Sequence, residues 1–110
     1  MESLKKINND SIKEAITYYD KSLLINSKNS DAYYNKANLL YKNKDYSKAL
    51  INYDKAIEIY PIFIEAIFNK AVLLEDPNNN NRNLEFSLIN YERCTKIDTN
   101  YTDAYYNISL

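Results

Sequence analysis

Short segments of this chain recur at a spacing near 34 residues. The segment that begins at Ala32 reads AYYNKA, the one at Ala66 reads AIFNKA, and a shortened copy at Ala104 reads AYYN, so the intervals are 34 and 38 residues. Four further sets keep the same two intervals: Ala15/Ala49/Ser87, Tyr19/Tyr53/Tyr91, Ser22/Ala56/Cys94 and Ile25/Ile59/Ile97. A period of this length predicts an all-α solenoid of stacked antiparallel helix pairs.

The composition argues against catalysis and cofactor binding. The 110 residues include no His, no Gly and a single Cys. Phosphate-binding loops need Gly where the backbone approaches the ligand, and His is the commonest general base and metal ligand. One Cys can form neither an internal disulfide nor a Cys-based zinc site. We therefore expect a non-enzymatic chain with no cofactor and no metal.

Charge and hydropathy argue against nucleic acid and membrane as partners. The net charge is −1 and the chain has no apolar run long enough to span a bilayer. The amino-terminal residues do not form the apolar stretch of a signal peptide. We expect no nucleic-acid binding, no membrane insertion, and a cytoplasmic or nuclear location.

The repeat divides one domain into four parts. Residues 1–29 form a partial repeat that is mainly a second helix, and residues 30–63 form a complete helix pair. Residues 64–101 form another pair, whose extra length fits an Asn-rich loop insertion near residues 78–83. Residues 102–110 begin a further first helix. We call the first and second helix of each pair helix A and helix B.

Local signals predict where the helices begin and end. Residues Ser11–Glu14 have the form of a capping box that starts a helix, which leaves Glu2–Asn8 as a stub of a preceding helix. Ser30 is predicted to cap the next helix. With no Gly available, Asn43 is predicted to adopt the left-handed conformation after that helix. Pro61 is predicted to end the helix B of the complete pair.

These residues resemble the tetratricopeptide repeat family over about 100 of the 110 residues. Residues 30–63 carry its pattern of aromatic, small and closing positions at Tyr33, Ala37, Leu40, Tyr46, Ala49, Tyr53, Ala56 and Pro61. The resemblance implies a right-handed superhelical solenoid that holds a protein partner. It also implies that helix A lines the concave groove.

Small residues mark the expected points of close helix approach. Ala37, Ala71, Ala49 and Ala56 stand at these positions, and Cys94 occupies the equivalent of Ala56. We therefore interpret Cys94 as a small buried residue, with a reactive thiol as the alternative. Helix-B residues Tyr19, Tyr53 and Tyr91 are interpreted as core residues, with ligand contact as the alternative.

By the resemblance, the groove carries three aligned rows of side chains. They are an acidic row (Asp31, Glu65, Asp103), an aromatic row (Tyr34, Phe68, Tyr106) and an amide row (Asn35, Asn69, Asn107). Asn38 and Val72 complete the predicted peptide-binding set, and Tyr41, Lys42, Glu75 and Leu110 are placed on the same inner face.

The amide row is the main indication of function. A carboxamide offers both a donor and an acceptor, so a row of them can pair with the main chain of an extended peptide. The alternative is that these Asn side chains only cap or solvate the groove. The acidic row favours a peptide that contains Lys or Arg, and the aromatic row could hold its apolar side chains.

One subclass of the family is disfavoured by charge. Co-chaperone members bind acidic carboxyl-terminal tails with a clamp of Lys, Asn, Asn, Lys and Arg. If Asn38 and Asn69 are the clamp asparagines, the cation positions fall on Tyr34, Asp103 and Asn107. The cations are missing, and an acidic tail would be repelled.

The function favoured by the sequence is a protein–protein interaction module or scaffold that binds an extended, basic peptide or a partner helix in its groove. One alternative is a substrate-docking segment of a larger, glycosyltransferase-like or other multidomain enzyme. RNA binding by a related helical-repeat class is disfavoured because the groove is acidic. We expect the chain to be part of a longer array, with uncapped terminal helices that support self-association.

Overall fold

Six α-helices form the computed structural model, which describes the backbone of residues 2–109 and the side chains of residues 9–104 and Asn107. The helices are α1 (Glu2–Ile25), α2 (Ser30–Lys42), α3 (Tyr46–Ile59), α4 (Ile64–Glu75), α5 (Leu84–Ile97) and α6 (Thr102–Ser109). Each helix packs on the next one in the chain, and α2 also contacts α4. The described backbone contains no strand, and the predicted all-α solenoid is confirmed.

Two helix pairs repeat the same packing. The first unit (residues 30–63) contains α2 and α3, and the second unit (residues 64–101) contains α4 and α5. Fully buried small side chains lie where the helices meet: Ala37, Ala49, Ala56, Ala66, Ala71 and Cys94. Helix axes can approach to about 8–10 Å only where no bulky side chain holds them apart. The sequence-based interpretation of these positions is confirmed.

Cys94 and two of the three helix-B tyrosines, Tyr53 and Tyr91, are core residues. Burial raises the pKa of the Cys94 thiol to about 11, so the thiolate needed for reactivity is scarce at neutral pH. Tyr53 and Tyr91 are 1% and 2% exposed. Tyr19, at the same repeat position in α1, is half-buried with its ring edge-on to Tyr18.

Successive units are joined by a repeated ion pair. The Nζ atom of Lys36 in α2 lies 2.6 Å from Oδ1 of Asp20 in α1. The same atoms of Lys70 in α4 and Asp54 in α3 are also 2.6 Å apart. Because these pairs are partly exposed, each contributes at most about 1 kcal/mol. Their regular placement favours one register between each helix A and the helix B that precedes it.

The prediction of a helix start at Ser11 is wrong. α1 is a single helix from Glu2 to Ile25, with no break between the expected stub Glu2–Asn8 and the expected capping box Ser11–Glu14. The segment between them holds Asn and Asp but neither Gly nor Pro. Polar residues with modest helix propensity can continue a helix when nothing removes a backbone donor or forces a turn.

Two predicted helix ends are shifted by one residue. The cap of α2 is Asn29, whose Oδ1 accepts from the Ala32 backbone N–H at 3.1 Å, and not Ser30. After α2, Asn43 has a φ of −82°, whereas Lys44 adopts the left-handed φ of 63°. The Lys44 and Asp45 N–H groups donate back to Tyr41 and Leu40 carbonyls, at 2.8 Å each, which is the Schellman arrangement.

The Asn-rich insertion forms an ordered loop. Asn79 is buried, its Nδ2 donates to the Leu73 carbonyl at 3.0 Å, and its Oδ1 accepts from the Asn81 N–H at 3.0 Å. The Asn83 N–H donates to the Leu74 carbonyl at 2.8 Å, and its side chain then caps α5. These bonds return the loop to the end of α4, so the insertion leaves the helix packing of the second unit intact.

Candidate functional site

A hydrogen-bond network joins α2 and α4 on the face where the sequence places the groove. Nδ2 of Asn69 donates to Oδ1 of Asn38 at 3.0 Å and to the Tyr34 hydroxyl at 3.2 Å. The hydroxyl of Tyr53 in α3 donates to the same Asn38 oxygen. The structure thus brings together three residues that the sequence assigns to peptide binding, and a core tyrosine supports them from below.

An open cavity of about 270 Å³ lies over this network. Its lining consists of Asn38, Tyr41, Lys42, Tyr53, Asn69 and Val72. All of these except Tyr53 were assigned to the inner face from the sequence. Tyr53 is almost fully buried, so it forms part of the floor, and the remaining side chains form the walls.

Each of the two amides in the network keeps one group unused, a donor on Asn38 and an acceptor on Asn69. Both amide hydrogens of Asn69 have acceptors in the protein, and the Asn38 oxygen accepts two hydrogen bonds. Among the described side chains, the Asn38 Nδ2 and the Asn69 Oδ1 have no partner. Since no buried side-chain nitrogen or oxygen in the described part of the chain lacks a partner, these two atoms reach solvent. They belong to two residues that line the same cavity.

A second cavity, of about 440 Å³, adjoins the first. It is lined by Tyr41, Val72, Glu75, Asp76 and Pro77. Tyr41 and Val72 also line the first cavity, so the two form one continuous groove between α2 and α4. The sequence missed Asp76 and Pro77 because they lie in the loop after α4. The 34-residue period could have identified Asp76, because Asp76 stands in the second unit where Lys42 stands in the first.

The two carboxylates of this second cavity are held by tyrosine hydroxyls. Tyr41 donates to Oδ2 of Asp76 at 2.7 Å, and Tyr91 donates to Oε1 of Glu75 at 2.7 Å. The hydrogen bond from Tyr41 holds the pKa of Asp76 below its usual range. Burial, and then the bond to the neighbouring carboxylate, raises the pKa of Tyr41 and of Tyr91. At neutral pH the two phenols are therefore neutral and act as hydrogen-bond donors.

The described members of the aromatic row pack against aromatic rings of their own units. The Tyr34 ring lies 6.3 Å from the Tyr53 ring and 4.8 Å from the Phe63 ring. Phe68 repeats this arrangement with Tyr91 and Tyr101, both at 5.5 Å. Both row members are half-buried. The side chain of Tyr106, the third predicted member, and Leu110 lie outside the described residues.

The other two rows differ in their surroundings. Asp31, Glu65 and Asp103 are exposed in the first turns of α2, α4 and α6, where a carboxylate also favours the positive end of the helix dipole. In the amide row, Asn35 is half-buried and Asn69 belongs to the network. Asn107 in α6 lies beside Tyr91, the tyrosine whose hydroxyl donates to Glu75.

Comparison with known protein families identifies the repeat. Residues 30–63 match the family model described as the tetratricopeptide repeat. By this match, the first unit is a tetratricopeptide repeat. The matched residues are those of the first unit, α2 and α3. The tetratricopeptide fold supports a protein–protein interaction module. No curated protein matches the sequence.

Solved structures of tetratricopeptide-repeat proteins share this fold at low sequence identity. The crystal structure of MamA matches with a TM-score of 0.76 and 17% identity, over 92% of this chain and 54% of MamA. The first tetratricopeptide domain of Spaghetti (RPAP3) was solved with the HSP90 peptide SRMEEVD bound. It matches with a TM-score of 0.80 and 18% identity, over 98% of this chain and 82% of the Spaghetti domain. YrrB, described as having an unusual peptide-binding site, matches with a TM-score of 0.77 and 18% identity, over 94% of this chain and 52% of YrrB. This chain thus spans about half the length of MamA and YrrB.

Two further observations bear on what this chain can bind. None of its described helices is long and apolar enough to cross a membrane. Within the residues that the structure describes, no group of three or more His, Cys, Asp or Glu side chains could hold a metal ion. The groove between α2 and α4 remains the place where polar, aromatic and charged side chains converge.

Proposed function

We propose that this chain is a protein-interaction module that binds an extended peptide in the groove formed by the helix-A faces of α2, α4 and α6. The proposed contact residues are those of the three rows together with Asn38 and Val72: Asp31, Tyr34, Asn35, Asn38, Glu65, Phe68, Asn69, Val72, Asp103, Tyr106 and Asn107. The two cavities between α2 and α4 are the central part of this surface.

The unused donor and acceptor at the centre of the groove carry the proposal. Among the described side chains, the Asn38 Nδ2 and the Asn69 Oδ1 have no hydrogen-bond partner, and both residues line one cavity. An extended peptide presents a carbonyl and an N–H along its edge, and these pair with an amide donor and an amide acceptor whatever the peptide sequence. Because Tyr34 and Tyr53 hold the two amides in place, the pair is preorganised, which reduces the entropic cost of binding.

The charge of the surface favours a neutral or basic peptide. An acidic residue opens each helix A, at Asp31, Glu65 and Asp103. The positions that correspond to clamp cations hold Tyr34, Asp103 and Asn107. Although the Spaghetti domain is bound to the acidic peptide SRMEEVD, we propose that this chain rejects such a tail, because like charges across an interface are unfavourable.

The experiment is selection from a displayed library of random peptides, followed by affinity measurement on the selected peptides. We expect Asn38→Ala/Asn69→Ala to weaken binding about tenfold or more, which is about 1.4 kcal/mol or more. The matched control is Asn80→Ala/Asn81→Ala, two exposed loop asparagines whose replacement leaves the groove unchanged. Far-ultraviolet circular dichroism checks that each variant remains folded.

A scan of the selected peptide with N-methylated residues tests the backbone contact itself. Methylation at one position should weaken binding to the wild type and have little effect on Asn69→Ala, because the acceptor has already been removed. Equal affinity of the wild type and the groove variant for every selected peptide, or failure to select any peptide, would overturn the proposed function.

A further inference from the structure

The cavity at the carboxyl-terminal end of α4 combines apolar walls with two carboxylates. Val72, Pro77 and the ring of Tyr41 form its apolar part, and Glu75 and Asp76 supply the charge. We propose that this cavity is a specificity subsite for a Lys or Arg side chain of the bound peptide. The proposal rests on the proposed function, since it assigns one side chain of the peptide to one part of the groove.

The shape and lining of the cavity suit a long basic side chain. Its volume of about 440 Å³ exceeds the 270 Å³ of the adjoining cavity. Lys and Arg carry an aliphatic stem that packs on apolar surface, with the charged group at its tip. Val72 and Pro77 offer that surface, and the Tyr41 ring offers a face on which a cation is attracted by the ring quadrupole.

The two carboxylates have no cationic partner within the described part of the chain. Ion pairs there involve Lys36, Lys48 and Lys70, with Asp20, Asp45 and Asp54 as their partners. Glu75 and Asp76 instead accept hydroxyl hydrogen bonds from Tyr91 and Tyr41. These bonds orient the carboxylates without neutralising them, so the negative charge remains available to a ligand.

Continuity with the first cavity places the subsite on the path of the peptide. Tyr41 and Val72 line both cavities, so a peptide whose main chain pairs with Asn38 and Asn69 has the second cavity next to it. Lys42 is the basic residue in the lining of the first cavity. A basic side chain is therefore favoured at the Asp76 end of the groove and disfavoured near Lys42.

This subsite differs from the acidic row in its construction. Asp31, Glu65 and Asp103 are exposed, and none of them lines either groove cavity. Exposed charges attract a basic ligand over a distance and mainly affect the association rate. Glu75 and Asp76 stand beside an open cavity whose apolar side chains can contact the stem, so they should specify one position of the peptide.

The test compares two charge-neutralised variants by selection from the same random peptide library. Glu75→Gln/Asp76→Asn removes the charges of the subsite and keeps oxygen acceptors for Tyr91 and Tyr41. The matched control, Glu85→Gln/Glu92→Gln, removes the same charge from two exposed residues of α5. We expect peptides selected by the wild type and the control to share a Lys or Arg at one fixed position, and peptides selected by the subsite variant to lack it.

A double-mutant cycle on one selected peptide gives the size of the effect. Replacing its basic residue with norleucine, which keeps the stem and removes the charge, should weaken binding to the wild type about tenfold. The same replacement should change binding to Glu75→Gln/Asp76→Asn by less than about twofold. Peptides that bind through Asn38 and Asn69 without any preference for a basic residue would overturn the subsite and leave the proposed function standing. If no peptide is selected by any variant, both fail.

Discussion

The buried tyrosine of helix B has a different partner in each of the two units. In the first unit Tyr53 donates its hydroxyl to the Asn38 amide, whereas in the second unit Tyr91 donates to the Glu75 carboxylate. The difference originates at two repeat positions, because Val72 stands in the second unit where Asn38 stands in the first, and Glu75 stands where Tyr41 does. Two units with the same helix packing therefore present different chemistry to the groove.

The connections between the two helices of a pair also differ between the first and the second unit. Residues 43–45 join α2 to α3, whereas the longer segment 76–83 joins α4 to α5. Where helix A meets its connection, Lys42, the last residue of α2, corresponds to Asp76, the first residue after α4. The solenoid fixes the backbone, and substitutions at inward and terminal positions of helix A change the polarity of the groove from one unit to the next.

The largest difference in stability is expected at the helix-contact position. Ala56 and Cys94 are both fully buried, and Leu at either site overpacks the interface. Because the second site already accommodates a sulfur atom, we expect Ala56→Leu to lower the free energy of unfolding by about 3 kcal/mol and Cys94→Leu by about 1–2 kcal/mol. Urea denaturation measures both values. The control is Ile51→Leu, at an exposed residue of α3, and an equal loss at both sites would contradict the comparison.

Removal of the tyrosine hydroxyls is expected to have the next largest effect on the free energy of unfolding. We expect Tyr91→Phe to cost about 2 kcal/mol and Tyr53→Phe about 1 kcal/mol, because hydrogen bonds to charged groups are stronger than those between neutral groups. In addition, Asn38 retains the hydrogen bond from Asn69 when the Tyr53 hydroxyl is removed. Urea denaturation of both variants at neutral pH tests this order.

The pH dependence of the same variants provides an independent check. Burial raises the pKa of Tyr53 and Tyr91 in the folded state. A raised pKa means that the folded state holds the phenol proton more tightly, so the stabilisation is complete below the unfolded pKa of about 10 and is lost as the pH rises above it. The stability difference between the wild type and each Phe variant should therefore shrink at alkaline pH. If this difference in unfolding free energy stayed constant as the pH rose, the hydroxyl would not stabilise the fold through its proton.

The ordered loop of the second unit is expected to contribute a smaller effect. Asn79 is buried and makes side-chain hydrogen bonds to Leu73 and Asn81, whereas the neighbouring Asn80 is exposed. We expect Asn79→Ala to lower the free energy of unfolding by about 1–2 kcal/mol and Asn80→Ala by less than about 0.5 kcal/mol. If both variants were equally neutral, the loop would be held by its backbone alone.

Most helix positions could be predicted from the sequence, because local signals determine them. The break after α4 coincides with Asp76 and Pro77, and α3 ends just before Pro61. Where the signal was ambiguous the prediction failed: Ser11 has the form of a cap but lies within α1. A capping sequence starts a helix only if the preceding residues leave the helical conformation, and no Gly or Pro forces them to do so.

The groove could be predicted only in part. Helical periodicity and the family resemblance placed Asn38, Asn69 and Val72 on the inner face, and these residues line one cavity. The partners of their amides depend on how α2 and α4 are oriented in space, which one-dimensional periodicity does not specify. Asp76 and Pro77 were missed for a related reason, since they lie outside a helix and only the fold brings them beside Tyr41.

The smallest predicted effect concerns the short turn of the first unit. Lys44 holds a φ of 63° without being Gly, and a side chain with a Cβ is disfavoured there by about 1 kcal/mol. We expect Lys44→Gly to raise the free energy of unfolding by about 0.5 kcal/mol, since Gly also has more freedom in the unfolded chain. The matched control is Asn43→Gly, which should lower stability because Asn43 has a negative φ. If Lys44→Gly were destabilising too, the Lys44 side chain would have to make a stabilising contact that outweighs the backbone strain.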